Sequence, residues 1–167
     1  MSNTVLLTYA TSYGSTQEVA EAIAKTLRDT GLEVDVEPMR KVLTLEKYSA
    51  FILGAPLYMF RWHKDARRFL SKHYEALTQH KVAIFALGPV GTGDEKEWQD
   101  ARGQLDKELT AFPWLTPVVL EIFGGKLNPG RVRYPAKIFM GNVAAVDLRD
   151  WTAIRTWASK LPAKLQV

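Results

Sequence analysis

Between residues 11 and 16 the chain reads Thr11-Ser12-Tyr13-Gly14-Ser15-Thr16. Four aliphatic hydroxyls and one phenol crowd a single turn. Gly14 permits a positive φ and a close approach of the backbone to a bound group. Val19, Ala20, Ile23, Ala24 and Leu27 then recur at helical spacing up to Gly31. The turn therefore opens a helix whose first N–H groups are free and partly positive. Together these features form a cradle for a phosphate. The turn contains no lysine, and neither Gly-Lys-Ser/Thr nor Gly-x-Gly-x-x-Gly occurs there. The phosphate is thus held as an anchor and not transferred, which points to a cofactor monophosphate. The competing reading is helix capping by Ser and Thr. One hydroxyl is explained that way; four around a glycine are less easily explained.

Other chemistries are limited by composition. The 167 residues include no cysteine, so disulfides, thiolate metal sites, iron–sulfur clusters and a cysteine nucleophile are excluded. The three histidines, His63, His73 and His80, have no HExxH or HxH spacing, and no metal is expected. No Ser-His-Asp set stands out. The net charge of +4 suits an anionic ligand or surface and does not by itself imply nucleic acid. The N-terminus lacks a signal-peptide pattern. The longest uncharged apolar stretch, Tyr48 to Phe60, contains Gly54 and Pro56 and is too short to cross a bilayer. The expectation is a cytoplasmic protein with one domain over residues 1–167.

The phosphate turn needs a scaffold, and periodicity supplies one. Thr4 to Ala10, Ala50 to Leu57 and Lys81 to Leu87 are apolar runs suited to buried central strands. Leu32 to Glu37 alternates, as a less buried strand would. Pro117 to Phe123 reads as an edge strand, with Pro at its start and Glu121 within it. Helices are predicted from about His63 to Gln79, from about Glu95 to Ala111, and from near Asp147 onward with Trp151, Ile154, Trp157, Ala158 and Leu161. A long basic loop runs from Gly124 to about Val146. Strands alternating with helices give an α/β class with a parallel sheet and helices on both faces. Ligands of such sheets bind beyond the carboxyl ends of the strands.

The first strand and Thr-Ser-Tyr-Gly-Ser-Thr resemble the phosphate loop of flavodoxins, where Ser/Thr-x-Ser/Thr-Gly-x-Thr binds the phosphate of FMN. Tyr13 stands where typical flavodoxins have Ser or Thr. Gly54-Ala55-Pro56-Leu57-Tyr58 and Leu87-Gly88-Pro89-Val90-Gly91 sit where that fold places its two flavin loops. The chain is most similar to the flavodoxin-domain branch that includes menaquinone-dependent protoporphyrinogen oxidase. The stretch from Gly54-Ala55 to His63, the basic RVRYPAKIFM segment at 131–140 and the Asp150-Trp151 pair carry that likeness. The resemblance implies a flavodoxin-like three-layer αβα sandwich, with a five-stranded parallel sheet in the order 2-1-3-4-5. It also implies FMN as cofactor, with its phosphate on Thr11 to Thr16 and its ring on Pro56, Leu57, Tyr58, Met59, Leu87, Gly88, Pro89 and Gly91.

Within that expectation Tyr58 is the first choice to stack on the ring, and Trp62 is either a second stacking residue or core. Met59 and Phe60 stand where the electron carriers of the family have a flipping Gly. Basic residues between Arg61 and Lys72 and between Gly124 and Lys137 are expected to flank the flavin or else to be solvated. Beside the flavin they would favour an anionic reduced ring and raise the two-electron potential. His63 is a weak catalytic candidate; the plainer reading is a solvent-exposed histidine at a helix start. The implied function is an oxidoreductase passing electrons between an organic, protoporphyrinogen-like substrate and a quinone or similar acceptor. Alternatives are a non-enzymatic electron carrier and a flavin-free binding domain. Expected partners are a redox partner or quinone, an anionic substrate and a peripheral membrane contact through 131–140, with no nucleic acid.

Overall fold

The computed structural model describes residues 3–58, 61–134, 137, 138, 141 and 143–167. Its main sheet is built from the apolar runs. β1 (Val5–Tyr9), β3 (Ala50–Tyr58) and β5 (Lys81–Leu87) lie at the centre, with β2 (Val34–Pro38) and β6 (Val119–Phe123) at the edges. The order is β2-β1-β3-β5-β6 and every neighbouring pair is parallel. Counted over these parallel strands alone, this is the expected 2-1-3-4-5.

Side chains of the central strands alternate between two cores, which is why the runs are continuously apolar. Leu6, Phe51, Leu53 and Ile84 pack under α2 (Lys64–Lys72) and α4 (Glu95–Leu109), through Phe69, Leu70 and Leu105. Val5, Leu7, Ile52 and Phe85 pack under α1 (Ser15–Arg28) and the C-terminal helix, Trp151–Leu165, through Ile23, Leu27, Ile154 and Trp157. Each fully buried Leu, Ile or Phe contributes roughly 1.5–3 kcal/mol. The register pairs Tyr9 with Gly54, Pro56 with Leu87 and Leu87 with Phe123. The segments after β1, β3, β5 and β6 are therefore level with one another at one sheet edge.

Three local expectations are corrected. The helix expected over His63 to Gln79 is two, α2 and α3 (Tyr74–Gln79). His73 leaves helical geometry at φ −110°, ψ 27°, with its ring packed on Phe69 at 4.6 Å between centroids. The last helix, α5, starts at Trp151 and not near Asp147, because Asp150 Oδ1 accepts from the Ala153 N–H and caps it. The long basic loop carries structure of its own: β7 (Lys126–Leu127) pairs antiparallel with β8 (Val146–Asp147). A two-residue strand not anticipated, β4 (Arg61–Trp62), folds back on the end of β3. Among the described residues no helix is long and apolar enough to cross a membrane.

Candidate functional site

The hydroxyl-rich turn leaves the end of β1, next to the end of β3. Gly14 adopts φ 91°, ψ −9° at the start of α1, a conformation natural to glycine, and no side chain caps the helix. Thr11 Oγ1 instead accepts from the Gly14 N–H at 2.8 Å and tightens the turn. The first bond of α1 runs from the Glu18 N–H to the Gly14 carbonyl, which leaves the N–H groups of Ser15, Thr16 and Gln17 without a helical acceptor. Thr16 is fully buried, and its Oγ1 has no hydrogen-bond partner among the described residues. A buried hydroxyl left so costs about 1–3 kcal/mol unless something fills the role. The capping alternative therefore has no support in the geometry.

A cleft of about 80 Å³ brings together Thr11, Ser12, Tyr13 and Ser15 with Pro56, Leu57, Leu87 and Gly88. Its remaining wall is Val90, Gly125, Lys126 and Leu127. Gly14 and Thr16 belong to the same turn and do not line the cleft. Pro89 lies instead in a neighbouring groove with Glu97 and Gln104. Gly91 is not in the lining either, and a Cβ there would fall on the Glu97 carboxylate. That carboxylate accepts from the Gly93 N–H at 2.6 Å and holds the turn before α4. Gly88 answers to packing as well, since a Cβ would stand 2.8 Å from Ile122 Cγ2. The expectations for Met59 and for the Tyr58 side chain lie outside the described residues.

Trp62 is core. It is 2% exposed, and its Nε1 donates to the Ala55 carbonyl at 3.1 Å. The pairing of Leu57 with Trp62 turns the indole under the sheet edge. His63 is not the solvent-exposed histidine of the plainer reading: its side chain is 10% exposed. Nδ1 accepts from the Asp65 N–H at 3.1 Å and caps α2, so the neutral ring carries its proton on Nε2 and donates it to Ser12 Oγ at 3.0 Å. Burial pushes the His63 pKa down, with Lys64 adding to the shift and Asp65 opposing it. Both nitrogens are committed, which makes His63 a brace between the turn and α2.

The basic residues divide. Lys64, Arg67, Arg68 and Lys72 line a groove with Phe112 that shares no residue with the cleft, so they do not flank it as expected. The second basic segment does reach the site. Arg131 Nη1 donates to the Tyr13 carbonyl at 3.3 Å, and a second pocket of about 90 Å³ is lined by Tyr13, Ser15, Glu18, Lys126, Asn128 and Arg131.

Arg149 is a residue that the sequence pattern did not single out. Its side chain is 3% exposed. It binds Asp147 through two nitrogens at 2.8 and 2.9 Å, Glu18 Oε2 at 2.6 Å and the Ser15 carbonyl at 3.4 Å, with its guanidinium 4.7 Å over the Trp151 ring. The hydrogen bonds from Arg149 hold the Asp147 carboxyl below its ordinary range. Gly124 and Gly125 were also missed. A Cβ on Gly124 would meet the Leu148 carbonyl at 2.1 Å, and one on Gly125 would meet Val90 at 2.6 Å. Among the described residues no group of His, Asp and Glu is arranged to hold a metal.

An α/β sandwich with a hydroxyl-lined turn after its first strand, facing loops from the third and fifth strands, is the architecture of flavodoxin-like proteins. A family model described as Flavodoxin domain matches residues 6–150, and the chain belongs to that family. It is 24% identical over 131 residues to protoporphyrinogen IX dehydrogenase (quinone) of Escherichia coli strain K12, across 77% of this chain and 72% of that protein. Among solved structures, it resembles a flavodoxin from the domain Archaea at 14% identity and a TM-score of 0.60, covering 98% of this chain and 99% of that one. Flavodoxin 1 of Bacillus cereus matches at 19% identity and 0.58, covering 98% and 97%. A flavo-diiron protein of Thermotoga maritima matches at 18% and 0.61, covering 98% of this chain and 36% of that one. At such identities these structures bear on the fold alone.

Proposed function

We propose that the chain is an FMN-dependent oxidoreductase that passes electrons between an organic donor of the protoporphyrinogen class and a quinone or similar acceptor. The observation that carries the cofactor is the buried, unpartnered Thr16 hydroxyl and the three helix N–H groups without a helical acceptor, in a turn whose Thr11, Ser12, Tyr13 and Ser15 line a cleft with Pro56, Leu57, Leu87 and Gly88. These residues fit FMN: Thr11 to Thr16 would hold the phosphate, and the two apolar loops would cover the ring. When bound, the flavin would supply reversible uptake of two electrons with their protons. The protein's part is to anchor, orient and exclude water.

The choice of substrate rests on the likeness to the Escherichia coli dehydrogenase, which its name ties to protoporphyrinogen IX and quinone. A lipid-soluble acceptor is compatible with a peripheral membrane contact. Tyr134 and Ile138 are 74% and 67% exposed, with Arg133 and Lys137 beside them in sequence. A non-enzymatic electron carrier is the second reading, and it is favoured by His63. That histidine spends both ring nitrogens on structure and is not free to act as an acid or base.

The test begins with a visible spectrum of the purified protein titrated with FMN. Flavin fluorescence that stays unquenched at tens of micromolar protein would remove the cofactor reading. Protoporphyrinogen oxidation coupled to quinone reduction then separates enzyme from carrier, and a flavin-loaded protein without turnover is a carrier.

A further inference from the structure

The turn that would hold the phosphate contains no cation, yet one reaches it from the far side of the sequence. Arg131 is 118 residues from Tyr13 and donates Nη1 to its carbonyl. The same nitrogen is 3.9 Å from the position of a Cβ on Gly14, so the guanidinium stands over the turn. Lys126 lines both the cleft and the adjoining pocket. Neither residue is within ion-pair distance of a carboxylate among the described residues, whereas Arg149 is saturated by Glu18 and Asp147. Glu18, the one acid lining the pocket, is thus neutralised from outside it.

On the reading of this site as a flavin site, we propose that Arg131, with Lys126 beside it, is the cationic ligand of the phosphate. The chain then selects FMN over uncharged riboflavin by charge as well as by N–H donation. An arginine has five N–H donors, and one of these is seen in use, on Tyr13. The rest are available for the charge-assisted, two-pronged contact that guanidinium makes with phosphate oxygens. The Thr16 hydroxyl and the free N–H groups of α1 approach the same anion from the protein side. A pairing at an exposed rim is screened by salt, whereas N–H donation from the turn is much less so.

The experiment is titration of wild-type protein and variants with FMN and with riboflavin, by quenching of flavin fluorescence, at low and high potassium chloride. Wild type is expected to prefer FMN, with the preference shrinking several-fold as salt rises. Arg131→Gln is expected to weaken FMN binding by about tenfold at low salt and to leave riboflavin within about twofold. Arg131→Lys, which keeps the charge and loses the fork, recovers only part of the affinity, and Lys126→Gln loses a smaller part than Arg131→Gln. If wild type binds neither flavin, the flavin reading itself fails. If it binds both and its preference is the same at both salt levels, the flavin reading stands and this proposal is overturned without recourse to any variant. Equal losses of FMN and riboflavin in Arg131→Gln, with a lowered melting temperature, would also overturn it by making Arg131 a structural strut.

Discussion

Ser12 Oγ and His63 Nε2 lie 3.0 Å apart across 51 residues of sequence. One imidazole therefore joins the turn after β1 to the first turn of α2, since its other nitrogen caps that helix at the Asp65 N–H. The brace fixes the spacing between the two segments that would face the phosphate and the ring. Replacing His63 by Ala removes both contacts. Loss of the cap alone should cost about 1 kcal/mol. His63→Asn restores a good N-cap but is too short to hold Ser12. Urea denaturation should find Asn close to wild type and Ala weaker, while FMN titration should find both weakened by several-fold.

The same ring sets an acid limb of stability. Burial depresses His63 below its ordinary 6.5, and burial acts likewise on His73. As pH falls the unfolded chain takes up protons first, so stability is full above about 6.5 and declines as pH drops through the folded values. Asp147, held low by Arg149, adds a second decline below its ordinary 3.8. Denaturation curves at pH 8, 7, 6 and 5 should show the upper limb, and His63→Asn should flatten part of it. Flat stability between pH 7 and 5 in wild type would contradict the argument.

Thr16→Val keeps the shape of a fully buried side chain and removes a hydroxyl that has no partner. Without ligand this variant should be as stable as wild type or up to about 1–2 kcal/mol more stable. Its FMN affinity should fall, and riboflavin affinity should fall less. Paired calorimetric melts with and without FMN read both effects, and a destabilised ligand-free variant would show that the hydroxyl already serves the fold.

Arg149→Met should destabilise by about 1–3 kcal/mol. The upper range belongs to fully buried pairs that lose one partner, and it is discounted here because the Glu18 and Asp147 side chains are 51% and 43% exposed. Arg149→Lys should recover little, since lysine has no fork to bind Asp147 through two nitrogens while stacking on Trp151. Chemical denaturation measures both variants.

Gly124→Ala places a methyl against the Leu148 carbonyl and must shift the backbone. The segment carrying Lys126 and Arg131 begins there. This variant should melt lower and should also lose FMN affinity, whereas an exposed Gly103→Ala in α4, with open space around it, should do neither.

The parts of this design legible in the sequence are those with a local physical signature. β5 ends where expected because an apolar run stops at Gly88-Pro89. The turn at 11–16 announces itself by composition. Other parts carry no such signature. Two-residue strands such as β4 and β7 have no period to read, so the sequence leaves Trp62 open between ring and core and brings the second basic segment near the flavin without the contact between Arg131 and Tyr13. His73 fits a helical stripe by spacing, and only its packing against Phe69 accompanies the break. The four bases from Lys64 to Lys72 line a different groove from the one expected, because charge along a helix does not reveal which way the helix faces.

The contact between Tyr13 and Arg131 also bears on how the chain matures. Its two halves are 118 residues apart in sequence, and closing so long a loop is entropically costly until the intervening strands are in place. The pocket between them is therefore expected to form late in folding. A phosphate-bearing ligand that needed both halves would recognise only folded molecules and would retain them in that state by mass action.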